Sequence, residues 1–264
     1  MIHPTAVIHP KARLDSTVRV GPYAVIEEGV ELGPECFVGP HVHLTGRTRI
    51  GARNRFFAGC VIGEIPQDLK YRNAPSGLRI GDDNTFREHT TVNRATDMEE
   101  DTVVGSRGLF MGHCHVAHNC QLGNDLIVAN GALLGGHVTV ADRAVISGNC
   151  LVHQFVRVGT LAMMQGGSAI SQDLPPYTMA RGDNGICGLN TVGLRRAGFS
   201  SAERLELKQL YHHLFRGGLN LRDAVAQAQQ KFSSPPSRTM LDFLAGTKRG
   251  VCRDVGVRNA AEDE

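Results

Sequence analysis

The chain has 264 residues, 31 of them glycine, with 5% aromatic residues and a formal net charge of +2. A net charge this small gives no bulk electrostatic argument for nucleic-acid binding. There is no long apolar run that would span a membrane and no signal-peptide pattern in residues 1–10. The sequence therefore predicts a cytoplasmic protein that does not insert into a membrane.

A six-residue repeat of apolar residues runs through most of the chain. It keeps one register over residues 8–62, a second over 80–92 and a third over 104–170. The helical period of 3.6 and the strand period of 2 do not fit this spacing, whereas short strands alternating with turns, three hexads to a coil, do. The repeat predicts an all-β solenoid, a parallel β-helix. A β-sandwich would need strands of varying length and spacing.

Small residues occupy two further positions of the repeat. Glycine often follows the inward apolar residue directly, as Gly135 follows Leu134, where a Cβ would obstruct the turn. Five of the seven cysteines fall in the small-residue position two places before the inward residue, and no CxxC pair indicates a zinc or redox site. These five are interpreted as core filler: Cys36, Cys60, Cys114, Cys120 and Cys150.

The repeat is interrupted twice, and a solenoid accommodates insertions as loops that leave its surface. The first interruption is 64–78 and the second is 94–101; both are polar. Polar loops beside a reactive face are often binding elements.

The pattern changes after residue 170. From Ser200 the period becomes helical, with a capping box to Glu203 and a stop at Gly217. Asn220 is predicted to cap a second helix, and a third includes residues 240–244. The predicted division is a β-helix domain over 1–187 and a C-terminal helical domain over 188–264, with the last dozen residues frayed.

The repeat also permits an argument about chemistry. Residues eighteen apart stack on adjacent coils, so His118, Gly136 and Gln154 form one column. An imidazole beside a backbone N–H could remove a proton from a hydroxyl and stabilise the oxyanion formed when that hydroxyl attacks an acyl group. No serine or cysteine lies in the column, so direct transfer is favoured over an acyl-enzyme. His115, His137 and His153 fall near it.

Several segments closely resemble the UDP-N-acetylglucosamine O-acyltransferase family of lipid A biosynthesis. They are QDLKY at 67–71, HVAHNC at 115–120, GGH at 135–137, HQF at 153–155, QDLPPY at 172–177 and GLNTVGLRRAGFS at 188–200. The resemblance implies a left-handed β-helix and a homotrimer with active sites between subunits. It also implies transfer of an (R)-3-hydroxyacyl group from acyl carrier protein to the sugar 3-hydroxyl. No cofactor or metal is implied, because the acyl donor is carried on the phosphopantetheine of the carrier protein.

The resemblance also implies roles for individual residues. His118 matches the family's general base and Gly136 its oxyanion donor. The remaining predicted substrate-binding residues are Gln67, Asp68 and Lys70 in the first loop, reaching across the subunit boundary; Asn93, His115, His137, His153 and Gln154 in the cleft; and Asn190 and Arg196 at the nucleotide and its phosphates.

This chain departs from the best-known enterobacterial members of the family at four positions. Asn119 replaces aspartate after the base, Asn93 replaces histidine, and Val192 and Ala197 replace glutamate and arginine. A basic surface, predicted to dock the acidic carrier protein, comprises Arg195, Arg196, Arg204, Lys208 and Arg216.

Three alternatives remain open from the sequence. The acceptor could be a 3-amino sugar nucleotide, which would give an amide. A γ-class carbonic anhydrase shares the β-helix and a histidine pair five apart, as His113 and His118 are, but Ser76 and Gly77 stand where its third ligand would be needed. A non-catalytic scaffold would not require the His118 column.

Overall fold

The computed structural model describes residues 1–256, and residues 257–264 lie outside the described part of the chain. Most strands are two residues long, one for each hexad. In chain order they are β1 (Val7–Ile8), β2 (Arg13–Leu14), β3 (Arg19–Val20), β4 (Val25–Ile26), β5 (Glu31–Leu32), β6 (Phe37–Val38), β7 (His43–Leu44), β8 (Arg47–Ile50), β9 (Arg55–Phe56), β10 (Val61–Glu64), β11 (Gly77–Ile80), β12 (Thr85–Phe86), β13 (Thr91–Asn93), β14 (Thr102–Val104), β15 (Leu109–Phe110), β16 (His115–Val116), β17 (Gln121–Leu122), β18 (Ile127–Val128), β19 (Leu133–Leu134), β20 (Thr139–Val140), β21 (Val145–Ile146), β22 (Leu151–Val152), β23 (Arg157–Val158), β24 (Met163–Met164), β25 (Ala169–Ile170), β26 (Thr178–Arg181), β27 (Gly185–Leu189) and β28 (Arg253–Asp254).

Every third strand pairs in parallel, so the chain winds around three sheets. Sheet I runs from β1 to β25, sheet II from β2 to β23, and sheet III from β3 to β24 and on to β26, β27 and β28. Val116 pairs with Leu134 and Leu134 with Val152, an offset of eighteen residues per coil. The predicted parallel β-helix and its three-hexad coil are confirmed.

The inward residues form a continuous buried ladder. Phe56, Phe86 and Phe110 are fully buried and stack at centroid distances of 5.0 and 4.8 Å, while aliphatic residues fill the other coils. Burying one such side chain contributes roughly 1.5–3 kcal/mol. The ladder stabilises the coils without using the outer surface of the sheets, which remains available for ligands or partner chains.

Both insertions leave the solenoid at the same corner, between sheets I and II. Ile62 pairs with Val92, thirty residues on, and Val92 pairs with Val116, twenty-four residues on. The first loop occupies residues 65–76 and the second 94–101, close to the predicted bounds. Because the two loops leave adjacent coils, they build one wall beside the corner that follows.

At some positions of the repeat only glycine fits, because the backbones of adjacent coils approach each other closely there. A Cβ on Gly135 would lie 2.7 Å from the backbone nitrogen of Gln154 in the next coil. The left-handed backbone conformation falls instead at the third residue after the inward one, where Asn119, His137 and Phe155 have φ between 57° and 65°. Asparagine adopts this conformation with little strain.

Three further strands, and not the helices, pack directly against the last coil of the solenoid. The antiparallel pair β26 and β27 extends sheet III, and β28 returns to pair with β27. The predicted domain boundary at 187/188 falls inside β27, so the two-domain division stays a prediction. The last dozen residues, 253–264, were expected to be frayed. For residues 253–256 this expectation is wrong, because β28 pairs with β27, whereas residues 257–264 lie outside the described part of the chain.

Within the described residues, four helices pack beyond the strands: α1 (Thr191–Arg196), α2 (Ser201–Arg216), α3 (Leu221–Lys231) and α4 (Pro235–Ala245). The capping box of Ser200 and the cap at Asn220 are present as predicted. Pro235 begins α4, because a proline tolerates the first helical turn. The short helix α1 was not predicted from the sequence. None of the helices in residues 1–256 has the length and hydropathy that a membrane crossing requires.

Candidate active site

A groove of about 760 Å³ runs along the outer face of sheet I. Its floor includes the outward side chains of Leu133, Leu151 and Ala169, which lie on successive coils. Six of the predicted site residues line it: Gln67, His115, His118, Gly136, His153 and Gln154. The groove therefore joins a polar end, at the corner of sheets I and II, to an apolar strip suited to an alkyl chain.

The column predicted from the eighteen-residue spacing is present. The N–H of His137 donates to the carbonyl of His118 at 3.0 Å, and the N–H of Phe155 donates to the carbonyl of Gly136 at 2.9 Å. A Cβ added to Gly136 would lie 2.6 Å from Cε1 of His118. Glycine at residue 136 therefore lets the imidazole pack closely against the next coil.

Asn119 determines the tautomer of His118. Its Oδ1 accepts the N–H of Thr96 at 3.0 Å, and its Nδ2 donates to the carbonyl of Glu100 at 3.2 Å. These two backbone groups orient the amide, so Oδ1 is the atom that lies 3.0 Å from Nδ1 of His118. Nδ1 must carry the proton and donate to it, which leaves the lone pair on Nε2. His118 thus presents a basic nitrogen to the groove.

Two neutral histidines surround the base. Burial is the main cause that lowers the pKa of both His115 and His137, and the proximity of His118 adds to it. His115 contacts the hydroxyl of Thr91 at 2.7 Å, while His137 meets His118 edge to face at 5.2 Å and stacks on Phe155. The lowered pKa values of His115 and His137 favour the uncharged form of both imidazoles.

The backbone N–H of Gly136 is positioned to bind an oxyanion. Gly136 is buried, and among residues 1–256 its N–H donates to no protein acceptor. Unpaired buried donors are uncommon and call for an explanation. An oxyanion formed beside Nε2 of His118 would supply the missing acceptor.

Comparison with known proteins places the chain in a family. A sequence profile described as domain 2 of UDP N-acetylglucosamine O-acyltransferase matches residues 173–252. The acyl-[acyl-carrier-protein]–UDP-N-acetylglucosamine O-acyltransferases of Syntrophobacter fumaroxidans and Myxococcus xanthus are each 44% identical to this chain, over 96% of it and 99% of the relative. The chain belongs to the UDP-N-acetylglucosamine O-acyltransferase family.

Solved structures of this family have the same fold. The UDP-N-acetylglucosamine acyltransferase of Campylobacter jejuni matches with a TM-score of 0.89 and 35% identity, covering 96% of this chain and 99% of that one. The UDP-N-acetylglucosamine acyltransferase of Francisella novicida matches with a TM-score of 0.91 and 33% identity, covering 97% of this chain and 95% of that one. The expected fold class, a left-handed β-helix with a small C-terminal helical part, is confirmed.

The first loop lies beside the base of its own chain. Oδ2 of Asp68 is 3.9 Å from Nε2 of His118, and Gln67 lines the groove. Lys70 is exposed, with its N–H donating to Asp68 Oδ1 at 2.8 Å. The family resemblance implies that these residues contact substrate across a subunit boundary; within one chain Gln67 and Asp68 already lie beside the groove and its base.

Six predicted site residues do not line the groove of the single chain; besides Asp68, Lys70 and His137, they are Asn93, Asn190 and Arg196. Asn190 uses its side chain to cap α1, accepting the N–H of Gly193 at 2.9 Å and donating to the carbonyl of Leu161 at 3.0 Å. Arg196 is exposed at the end of the same helix. Asn93 is buried and its Nδ2 donates to the carbonyl of Ile65 at 3.0 Å, anchoring the first loop. Their roles toward the nucleotide stay predictions.

His113, which the carbonic anhydrase alternative would pair with His118 as a zinc ligand, lies at a different corner of the solenoid. His113 is exposed and stacks on His89 at 5.1 Å, on the corner between sheets III and I. Within residues 1–256 no group of three histidine, cysteine or acidic side chains is placed to hold a metal ion. His113 and His118 therefore do not form the ligand pair of a carbonic anhydrase.

Two features of the site were not predicted from the sequence. The link from Asn119 to the second loop depends on Thr96, which no motif marks. The apolar strip of the groove has a signal that was available: Leu133 and Leu151 precede inward residues and so occupy outward positions of sheet I.

Proposed function

We propose that this protein transfers an (R)-3-hydroxyacyl group from acyl carrier protein to the 3-hydroxyl of UDP-N-acetylglucosamine, the first step of lipid A biosynthesis. The names of its relatives, 41–46% identical, state the carrier-bound acyl donor and the sugar nucleotide acceptor. The observation that carries the proposal is the contact of His118 with the coil of Gly136. It sets a basic Nε2 beside a free N–H at the end of an apolar groove.

The mechanism is direct transfer. Nε2 of His118 removes the proton of the sugar hydroxyl as its oxygen attacks the thioester carbonyl. The N–H of Gly136 stabilises the oxyanion of the tetrahedral intermediate. On collapse the C–S bond breaks, and the imidazolium returns the proton to the departing thiolate of phosphopantetheine. Asn119 Oδ1 accepts the Nδ1–H bond throughout.

A homotrimer would close the groove. Ile127 on sheet III, with Leu133 and Leu151 on sheet I, are large apolar residues that remain at least one-third exposed. Most outward positions of sheet II are polar, as at Arg49 and Gln121, with Val103 as an exception. Three copies that set sheet I against sheet III of the neighbour bury both apolar faces and leave sheet II in water.

The carrier protein has a candidate docking surface on the helices. A groove of about 420 Å³ has an apolar floor that includes Leu194 and Leu205. Four of the five predicted basic residues line it: Arg195, Arg204, Lys208 and Arg216. An acidic partner with an apolar contact residue fits such a surface.

Mass spectrometry of UDP-N-acetylglucosamine incubated with a panel of 3-hydroxyacyl carrier proteins tests the function. One hydroxyacyl group on the sugar nucleotide, formed by wild type and not by His118→Ala, is the expected result. Product formed only from the 3-amino acceptor would replace the O-acyl reaction by amide formation. No product from either acceptor would favour a scaffold.

A further inference from the structure

The guanidinium of Arg249 lies at the rim of the groove, although Arg249 follows the last helix. Its Nε–H donates to the carbonyl of Ser171 at 3.1 Å, and Nη2 lies 3.3 Å from Nδ1 of His153. Ser171 and His153 both line the groove. A guanidinium only donates, so Nδ1 of His153 accepts this bond in the tautomer that carries its proton on Nε2; the same Nδ1 also lies 3.2 Å from the carbonyl of Gln154. The C-terminal segment thus brings a permanent positive charge to the wall of the active site.

The backbone on either side of Arg249 is anchored to one buried residue, Asp173. Its N–H donates to the carbonyl of Gly250 at 3.0 Å, its carbonyl accepts the N–H of Cys252 at 3.0 Å, and its carboxylate accepts the hydroxyl of Thr247 at 2.9 Å. These bonds hold the turn against the end of the solenoid. The charge of Arg249 is therefore preorganised, which lowers the entropic cost of binding a ligand.

No carboxylate neutralises this charge among the residues that the structure describes. Arg157, by contrast, is paired with Asp173 at 2.7 Å. The two bonds of Arg249 use two of its five N–H groups and go to uncharged acceptors. The remaining three form a fork that matches the geometry of a phosphate.

We propose that Arg249 binds a phosphate of a substrate and is a specificity-determining residue of the acyl transfer. This rests on the proposed function, in which both substrates carry phosphate: a diphosphate in the sugar nucleotide and a phosphodiester in phosphopantetheine. Gln154, next to His153, is two coils from His118, or about 10 Å along the solenoid. Arg249 therefore engages a part of the substrate away from the reacting carbon.

The kinetic test compares Arg249→Gln, Arg249→Lys and the control Lys248→Gln, which removes an exposed charge from the same turn. We expect Arg249→Gln to raise KM for one substrate about 10–50-fold with kcat changed less than about threefold. Lysine should restore part of the loss, since it keeps the charge without the fork. The substrate whose KM rises identifies which phosphate is bound.

Unchanged KM for both substrates in a folded Arg249→Gln protein would overturn the proposal. Calorimetric titration of UDP and of 4′-phosphopantetheine onto wild type and Arg249→Gln gives a second readout that needs no turnover. Equal affinities of the two proteins for both ligands would refute it as well. If Arg249→Gln does not fold, Arg249→Lys takes its place, with at least a threefold loss expected. An inactive wild type would refute the proposed function, while the titrations would still decide the role of Arg249.

Discussion

Two corners of the solenoid carry stacked or neighbouring histidines, and they differ in what surrounds the imidazole. At the corner of sheets III and I, His113 is exposed, stacks on His89 and does not line the groove of the candidate active site. At the corner of sheets I and II, His118 is only 9% exposed, and its Nδ1 is bonded to Asn119. Both positions arise from the same six-residue repeat.

The insertions account for the difference. Both loops leave the corner of sheets I and II on the two coils before His118, and within the described residues the corner of sheets III and I has none. The loops shield His118 from water and supply Thr96, which orients Asn119. The repeat contains many equivalent positions at which a histidine could lie. The position of His118 differs from the others because the two loops that interrupt the repeat lie beside it.

The largest effect is expected from a change to the ladder that both corners share. Val128→Asp places an unpaired carboxylate among fully buried apolar residues, at a cost of several kcal/mol. We expect loss of the folded protein, measured by circular dichroism and gel filtration. A normally folded Val128→Asp protein would contradict the register of β18.

His118→Ala removes the proposed general base from the corner of sheets I and II. Turnover should fall about 10²–10⁴-fold, because general base catalysis is lost while the ladder is intact. Steady-state kinetics measure the loss, and an unchanged melting temperature is the control. Full activity would exclude His118 as the base.

Asn119→Ala tests the positioning of that base. Losing the acceptor for Nδ1–H frees the imidazole to rotate and to take the wrong tautomer, so we expect kcat to fall about 10–100-fold. Asn119→Asp should retain most of the activity, since a carboxylate accepts the same bond. If alanine and aspartate have equal effects, the Nδ1–H bond is irrelevant.

The stability of the groove wall should depend on pH through His115. Burial lowers its pKa in the folded protein below the ordinary value of 6.5. As pH falls from about 7 to about 5.5 the unfolded chain takes up the proton first, so folding stability decreases. The free energy of unfolding, measured by urea denaturation at several pH values in this range, should change less steeply with pH in His115→Gln than in wild type. An identical slope would mean that the histidine is protonated equally in both states.

The smallest effect is expected at the other corner. His113→Ala removes an exposed ring that touches no groove residue, so activity should stay within about twofold of wild type and the melting temperature nearly unchanged. The same assay used for His118→Ala provides the comparison. A large loss of activity would show that the corner of sheets III and I takes part in the reaction.

Much of the solenoid was predictable because its structure is local and periodic. The hexads predicted the coil, its register and the start of both long loops, and the capping signals at Ser200 and Asn220 predicted two helices. The strands β26 to β28 were missed, because β26 and β27 form an antiparallel pair outside the six-residue period and β28 pairs with β27 from about seventy residues further along the chain. The short helix α1 is held by the cap of Asn190, a residue that the family resemblance assigned to the nucleotide.

By itself, the sequence of this protein determines the ladder of inward residues and the column of His118, Gly136 and Gln154. A residue's place around the coil follows from its number within the repeat, because each hexad repeats the same backbone conformation. Tertiary structure alone decides which nitrogen of His118 carries the proton and that Arg249 reaches the groove. Both depend on contacts between segments that no period relates, where the geometry of the intervening chain sets the distance.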